Sequence, residues 1–131
     1  MKAMLLILTF SFACGLSVAY GEEMVVVDKS FNGREIKVRS GSMVRVELEQ
    51  AGATGYTWEI HNLDKKHFEL VSVKTPEPPE KSDLVGAPVK KTWLIKAGEK
   101  GKAELRFLYF RSWEGKEKAV DSFLMKVRIV E

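Results

Sequence analysis

Apolar and polar side chains alternate with a period of two through much of this chain, and that pattern leaves few folds open to it. The segment Met43–Glu49 shows it most clearly, because Val44, Val46 and Leu48 occupy alternate positions and charged residues fill the positions between them. Successive side chains point to opposite faces of a β-strand, so the pattern predicts a strand with one buried face. One-sided burial of this kind is typical of antiparallel sheets.

Other short segments show strand patterns, and turn signals separate them. They are Met24–Val27, Glu35–Val38, Tyr56–Ile60, Phe68–Lys74, Val89–Ala97, Lys102–Phe110 and Ser122–Ile129. Lys91 is the exception on the apolar face that carries Val89, Trp93 and Ile95. Asn32-Gly33 is a hairpin signal between the first two segments. With no convincing helical period after residue 21, the sequence predicts an all-β fold, an antiparallel β-sandwich of seven to eight strands.

Three loops of unusual composition fall at one end of such a sandwich. Antiparallel strands alternate in direction, so every second connection lies at the same end. This count groups Ala51–Gly55, Thr75–Pro88 and Arg111–Asp121. The first is small and uncharged, the second holds all four prolines, and the third contains Trp113. The same count places Arg39–Ser42, His61–His67 and Gly98–Gly101 at the opposite end. Because binding residues are often carried on loops of a rigid scaffold, we expect a site at the first end.

The first 21 residues have the pattern of a secretory signal peptide. Lys2 precedes the apolar run Ala3–Phe12, and small residues permit cleavage after Ala19 or Gly21. This predicts a signal peptide over residues 1–21, a single domain over residues 22–131, and export to the periplasm or the extracellular space. Two alternatives remain open, an uncleaved membrane anchor and lipidation of Cys14, the single cysteine.

Several kinds of chemistry are disfavoured by the residues present. The formal net charge is +3 with both signs interspersed, so we expect no nucleic-acid partner. His61 and His67 fit no metal motif, and both fall at the end opposite the small-residue loop, where they could not serve a Ser–His–carboxylate triad there. We expect no metal and no cofactor. The residues predict an exported, noncatalytic binding protein rather than an enzyme.

The three loops also resemble a known family. Its pattern is Asn-Pro-Thr-Thr-Gly-Tyr/Phe, then a Gly-rich segment, then Arg-Pro-Trp. Here Ala51-Gly52-Ala53-Thr54-Gly55-Tyr56 corresponds to the first, Gly86-Ala87-Pro88-Val89 is similar to the second, and Arg111-Ser112-Trp113 is similar to the third. In this order and spacing the chain resembles the chagasin family of inhibitors of papain-like cysteine peptidases. The prolines of the first and third motifs are replaced here by Gly52 and Ser112.

The resemblance implies an immunoglobulin-like sandwich whose three loops occlude the active-site cleft of a papain-like cysteine peptidase, cathepsin L-type or similar. It implies reversible, noncovalent inhibition by a monomer. Carried over position by position, the peptidase-binding residues are Ala53, Thr54, Gly55, Tyr56, Gly86, Ala87, Arg111 and Trp113. The alternative is an exported immunoglobulin-like module that binds another protein or a glycan without inhibiting a peptidase. A small secreted hydrolase is the third possibility, disfavoured by the missing nucleophile–base pair.

Overall fold

The computed structural model describes residues 23–51, 54–75 and 88–131. These ranges contain eight strands and two single-turn 3-10 helices, Lys29–Phe31 and Lys116–Lys118. The strands are β1 (Met24–Val27), β2 (Glu35–Arg39), β3 (Met43–Ala51), β4 (Tyr56–Ile60), β5 (Phe68–Lys74), β6 (Pro88–Ala97), β7 (Gly101–Arg111) and β8 (Asp121–Val130). The predicted signal peptide, residues 1–21, lies outside the described residues. No helix in the described ranges has the length and apolar character to cross a membrane.

The strands form two four-stranded sheets with the orders β1-β3-β6-β5 and β2-β8-β7-β4. One hydrophobic core lies between them, so the predicted all-β sandwich is confirmed, with eight strands. The pairings β3–β6, β5–β6, β4–β7 and β7–β8 are antiparallel, as predicted. The edge pairings β1–β3 and β2–β8 are parallel, which the alternation pattern did not indicate.

The alternating apolar residues supply the core. Val44, Val46 and Leu48 of β3 are fully buried, because a period of two puts all three on the inner face. The rings of Trp93 and Phe107, one from each sheet, meet edge to face with centroids 4.7 Å apart. Burying a side chain of this size contributes about 1.5–3 kcal/mol, so the apolar period is the main reason that the two sheets associate.

The hairpin predicted at Asn32-Gly33 is wrong, because β1 and β2 belong to different sheets. The 3-10 turn Lys29–Phe31, capped by the side chain of Asp28, carries the chain across from one sheet to the other. Asn32 Oδ1 then accepts a hydrogen bond from the amide of Leu124 at 2.8 Å, and the Gly33 amide donates to the Leu124 carbonyl at 2.7 Å. The Asn-Gly pair therefore contacts β8 instead of closing a hairpin.

Three polar connections meet at one end of the sandwich, as the strand count predicted. The Gly41 amide donates to the Ala97 carbonyl at 2.8 Å, and the Gly98 amide donates to the His67 carbonyl at 2.7 Å. Ser40 Oγ donates to the Gly98 carbonyl at 2.6 Å. This end is closed by its own backbone and hydroxyl hydrogen bonds.

Candidate functional site

The first loop runs from the end of β3 to the start of β4, and side chains hold both of its ends. The Ala51 amide donates to the hydroxyl of Tyr109 at 3.1 Å. The Tyr56 amide donates to Thr54 Oγ1 at 3.2 Å, which is a local turn closed by a threonine hydroxyl. Gly55 has a φ of 85°, a left-handed conformation that glycine adopts without the penalty other residues meet. Thr54 and Gly55 are therefore presented at the exposed surface in a defined turn.

Arg111, the last residue of β7, connects the first loop to the third. Its Nε donates to the Thr54 carbonyl at 3.1 Å. Its guanidinium carbon lies 4.4 Å from the ring centroid of Tyr56 and 5.7 Å from that of Trp113. Its Nη1 also lies 3.5 Å from Glu114 Oε2. The cation is held between two aromatic rings and a carboxylate, so both loops are fixed relative to each other.

Trp113 is the large apolar residue with the highest exposure in the described ranges, at 69%. Its indole lies directly against Gly55, where a Cβ atom would overlap the ring. The tryptophan is thus outside the hydrophobic core, yet it is packed against the first loop. Tryptophan is one of the residue types enriched among the few residues that dominate binding energy at protein interfaces.

The second loop reaches the same end of the molecule. Pro88, the first residue of β6, is the register partner of Ala51, the last residue of β3. The first loop begins beside the point where the second one ends, as the strand count predicted. Of the eight predicted binding residues, Ala53, Gly86 and Ala87 lie outside the described residues. The structure brings the other five together, namely Thr54, Gly55, Tyr56, Arg111 and Trp113.

An aromatic stack supports the loops from below. The ring of Tyr109 lies 5.4 Å from that of Tyr56 and 4.8 Å from that of Trp58, centroid to centroid, on neighbouring strands. The indole Nε1 of Trp58 donates to the Glu49 carbonyl of β3 at 3.0 Å. Cross-strand aromatic pairs of this kind stabilise a sheet beyond their buried area, so the first and third loops stand on a rigid base.

Two further residues contact the base of the first loop, and neither is among the site residues predicted from the sequence. The side chains of Gln50 and Lys91 bond to the backbone of Trp58 from the opposite sheet. Lys91 had a signal in the sequence, since it interrupts an apolar face. Gln50 had none, because a glutamine at the end of a strand is unremarkable.

The carboxyl groups with clearly shifted pKa values in the described ranges are those of Asp64 and Asp28, which lie in turns outside the three loops. The side-chain hydrogen bond from His67 lowers the pKa of Asp64, and the amide of Lys66 adds to the effect. Side-chain and backbone hydrogen bonds from Ser30 lower the pKa of Asp28. In both turns, hydrogen bonds stabilise the charged form of the carboxylate, and this lowers its pKa.

The chemical groups at the loop end favour contact over reaction. No three His, Cys, Asp or Glu side chains in the described ranges are grouped so that they could hold a metal ion. His67 is engaged by Asp64 at 2.9 Å, at the far end of the sandwich. The loop end offers a glycine turn, a hydroxyl, an arginine and aromatic rings, groups that are suited to contact with another protein.

A rigid sandwich that gathers such residues on loops at one end defines an immunoglobulin-like binding module. Residues 37–127 match the model of the family described as Chagasin family peptidase inhibitor I42. The chain therefore belongs to the chagasin family of peptidase inhibitors, which confirms the family predicted from the three motifs. Its functional class is that of an inhibitor and not of an enzyme.

Solved structures share the fold over most of the chain. The crystal structure of the cysteine protease inhibitor EhICP2 from Entamoeba histolytica is similar with a TM-score of 0.72 and 20% identity, over 82% of this chain and 96% of that one. The solution structure of Amebosin has a TM-score of 0.65 and 19% identity, over 82% and 97%. PbICP-C, solved in complex with falcipain-2, has a TM-score of 0.57 and 16% identity, over 82% and 98%. No curated protein sequence matches the chain significantly.

Proposed function

We propose that this protein is a reversible, noncovalent inhibitor of papain-like cysteine peptidases, and that its loop end occludes their active-site cleft. The family to which the chain belongs consists of peptidase inhibitors. Among the structures that share its fold, one is named a cysteine protease inhibitor and another was solved in complex with falcipain-2. These relatives support a cysteine peptidase as the partner class.

The observation that carries the proposal is the contact between the first and third loops. Arg111 bonds to Thr54 and lies against Tyr56, while Trp113 lies against Gly55. The two loops form one preassembled edge in the free protein. Because the ordering of loops opposes association, a preassembled edge binds more tightly than two separate flexible loops would.

The chemistry of this edge accounts for inhibition without turnover. Thr54 and Gly55 present backbone and a small side chain, so they can approach a narrow cleft closely. Inhibition does not require the peptidase to cleave the turn, since occlusion alone prevents substrate from reaching the catalytic cysteine. Trp113 and Arg111 are of the types enriched at interface hot spots, and they flank the turn.

The proposed contact surface extends to Ala53 in the first loop and to Gly86 and Ala87 in the second. Their assignment rests on the sequence motifs, supported by the position of Pro88 beside Ala51. All three residues are small, which suits close approach of backbone to a partner.

Titration of papain and of a cathepsin L-type peptidase with the purified domain, residues 22–131, tests the proposal. We expect stoichiometric inhibition of a fluorogenic peptide substrate, reversed when the complex is diluted. Absence of inhibition at micromolar concentration for both enzymes would contradict it.

A competition experiment distinguishes cleft occlusion from binding elsewhere. Papain with its cleft filled by a covalent peptidyl inhibitor should not bind the protein in a pull-down, whereas unmodified papain should. Equal capture of both forms would instead indicate a module that binds a surface away from the cleft.

We further propose that the protein is exported and that residues 1–21 are its signal peptide. The basic, apolar and small-residue regions described above support this assignment. The mass of the exported protein tests it, with cleavage after Ala19 or Gly21 as the expected result. A mass that includes a lipid on Cys14, or the intact N-terminal segment, would contradict it.

A further inference from the structure

Lys91 is the one charged residue that is buried in the described ranges, with an exposure of 7%. It occupies an inward position of β6, two residues from Trp93, where its ammonium lies 5.4 Å from the indole centroid. Removing a charged group from water opposes folding unless several hydrogen bonds compensate for it. An apolar residue here would fit the alternation of the strand, so the lysine calls for a specific explanation.

The ammonium of Lys91 bonds to three consecutive residues of β4. It donates to the Trp58 carbonyl at 2.9 Å, to Thr57 Oγ1 at 3.3 Å and to Glu59 Oε2 at 3.3 Å. An ammonium has three donors, so these three acceptors satisfy it fully. The bonds run from one sheet to the other, since β6 and β4 belong to different sheets.

Gln50 completes the same network from β3. Its Oε1 accepts from the Trp58 amide at 3.1 Å and from Thr57 Oγ1 at 3.2 Å. The Thr57 hydroxyl thus receives a hydrogen bond from Lys91 and donates one to Gln50. Because β4 is an edge strand, the Trp58 amide and carbonyl have no neighbouring strand on that side. Gln50 and Lys91 supply the partners that a neighbouring strand would have supplied.

The three strands joined by this network carry the ends of two binding loops. Gln50 is adjacent to Ala51, where the first loop begins, and Trp58 lies two residues after Tyr56, where it has ended. Lys91 lies three residues after Pro88, the first described residue beyond the second loop. The network, which we call the Gln50–Lys91 clamp, therefore fixes the distance between the two ends of the first loop and links them to the strand that follows the second.

We propose that Gln50 and Lys91 are positioning residues for peptidase binding, holding the first loop in its binding conformation from the opposite sheet. This inference rests on the proposed function. In this role the clamp need not contact the peptidase, because it acts by raising the fraction of free molecules in which the loop is ready to bind. The measured affinity of a protein falls in proportion to that fraction, and the loss appears mainly in the association rate.

The test compares Lys91→Met and Gln50→Met with wild type in papain inhibition and in thermal unfolding. Methionine fills similar volume without donating or accepting the hydrogen bonds. We expect the inhibition constant to rise about tenfold in each variant, mainly through slower association. We also expect faster hydrogen exchange at the Trp58 amide in Gln50→Met. The two substitutions together should raise the inhibition constant by less than the product of the single effects, because both remove the same support.

Two matched variants separate positioning from general stability. Lys96→Met makes the same substitution at an exposed position of the same strand and should leave inhibition unchanged. Gln50→Glu keeps an acceptor for the Trp58 amide and the Thr57 hydroxyl and should retain most of the inhibition. If Lys91→Met does not fold, Gln50→Met decides, since residue 50 is only partly buried.

Two results would overturn the role of the clamp, and a third would overturn the proposed function as well. Wild-type inhibition with unchanged association rates in both methionine variants would overturn the clamp's role and leave the proposed function standing. Loss of inhibition that follows loss of thermal stability in parallel, Gln50→Glu included, would also overturn it. A wild-type protein that does not inhibit would overturn the proposed function and this inference together.

Discussion

A single glycine and a single tryptophan meet where the first loop contacts the third. Gly55 has a positive φ, and the indole of Trp113 lies where its side chain would be. The conformational freedom of glycine and its lack of a Cβ are both used at this one position. The sequence predicted both residues through the family motifs, but no pattern in the sequence indicated that they touch.

Trp113→Ala should weaken inhibition by about 2 kcal/mol or more, a rise of roughly thirtyfold in the inhibition constant. Thermal stability should stay nearly unchanged, because the side chain is 69% exposed and lies outside the core. Inhibition assays and thermal denaturation of the same preparation measure the two effects. Val71→Ala, an exposed apolar residue of β5, is the control and should change neither. A large fall in the melting temperature of Trp113→Ala would show that the residue is structural.

Gly55→Ala should weaken inhibition, because the new methyl group displaces the indole and the left-handed backbone strains the turn. The strain alone should lower the free energy of unfolding by about 1 kcal/mol. Gly41→Ala is a matched control at the opposite end, with a φ of 92° and open space around its Cβ position. It should show similar destabilisation in urea and full inhibition. Equal loss of inhibition in both variants would contradict a specific contact at Gly55.

For single strands, the apolar period of the sequence is sufficient to locate each strand, but it does not indicate which strands pair with each other. Alternation identified each strand because burying one face requires apolar residues at every second position. The Asn-Gly signal misled because hydrogen bonds to Leu124 of β8, remote in sequence, outweigh a local turn preference. Lys91 interrupts the apolar face of its strand, and the sequence alone does not indicate that the Trp58 carbonyl lies opposite to accept its hydrogen bond.

The start of the third loop offers a test of backbone stiffness. Ser112 follows the extended residue Arg111, which is compatible with a proline after it. In the described ranges the Ser112 amide donates no backbone hydrogen bond, so none would be lost. Ser112→Pro should therefore raise the free energy of unfolding by about 0.4–1 kcal/mol and strengthen inhibition, since the free loop loses less entropy on binding. Ser112→Ala controls for loss of the hydroxyl. A lower melting temperature in the proline variant would contradict this expectation.

Over the whole molecule, the two ends of the sandwich differ in structure. The strand count assigned the loops to ends correctly, because direction alternates along the chain whatever the pairing order. It could not indicate how the loop end is braced, since those contacts join residues far apart in sequence. One end carries the proposed binding surface, and the other is closed by hydrogen bonds that include the Asp64–His67 pair.

The Asp64–His67 pair at the closed end should make the free energy of unfolding depend on pH. The hydrogen bond from His67 lowers the pKa of Asp64 in the folded protein, so the unfolded chain takes up a proton first as pH falls. The stabilisation is fully present above about pH 4, the ordinary value for an aspartic acid, and is lost as pH falls through the lowered folded value. Asp64→Asn should be less stable than wild type at pH 7, and the difference in urea midpoint should shrink below pH 4. Glu99→Gln in the neighbouring turn is the control. A difference that is constant from pH 7 to pH 3 would contradict the assignment.

The parallel pairing of β2 with β8 has a consequence for when this protein can fold. β2 is among the first strands to be synthesised, yet its hydrogen-bonding neighbour is the last strand of the sandwich. A nascent chain cannot complete the second sheet until β8 has left the ribosome, and pairings so distant in sequence slow folding because a long loop must close first. The second sheet, and with it the closed sandwich, can therefore form only after nearly all of the described strands have been synthesised.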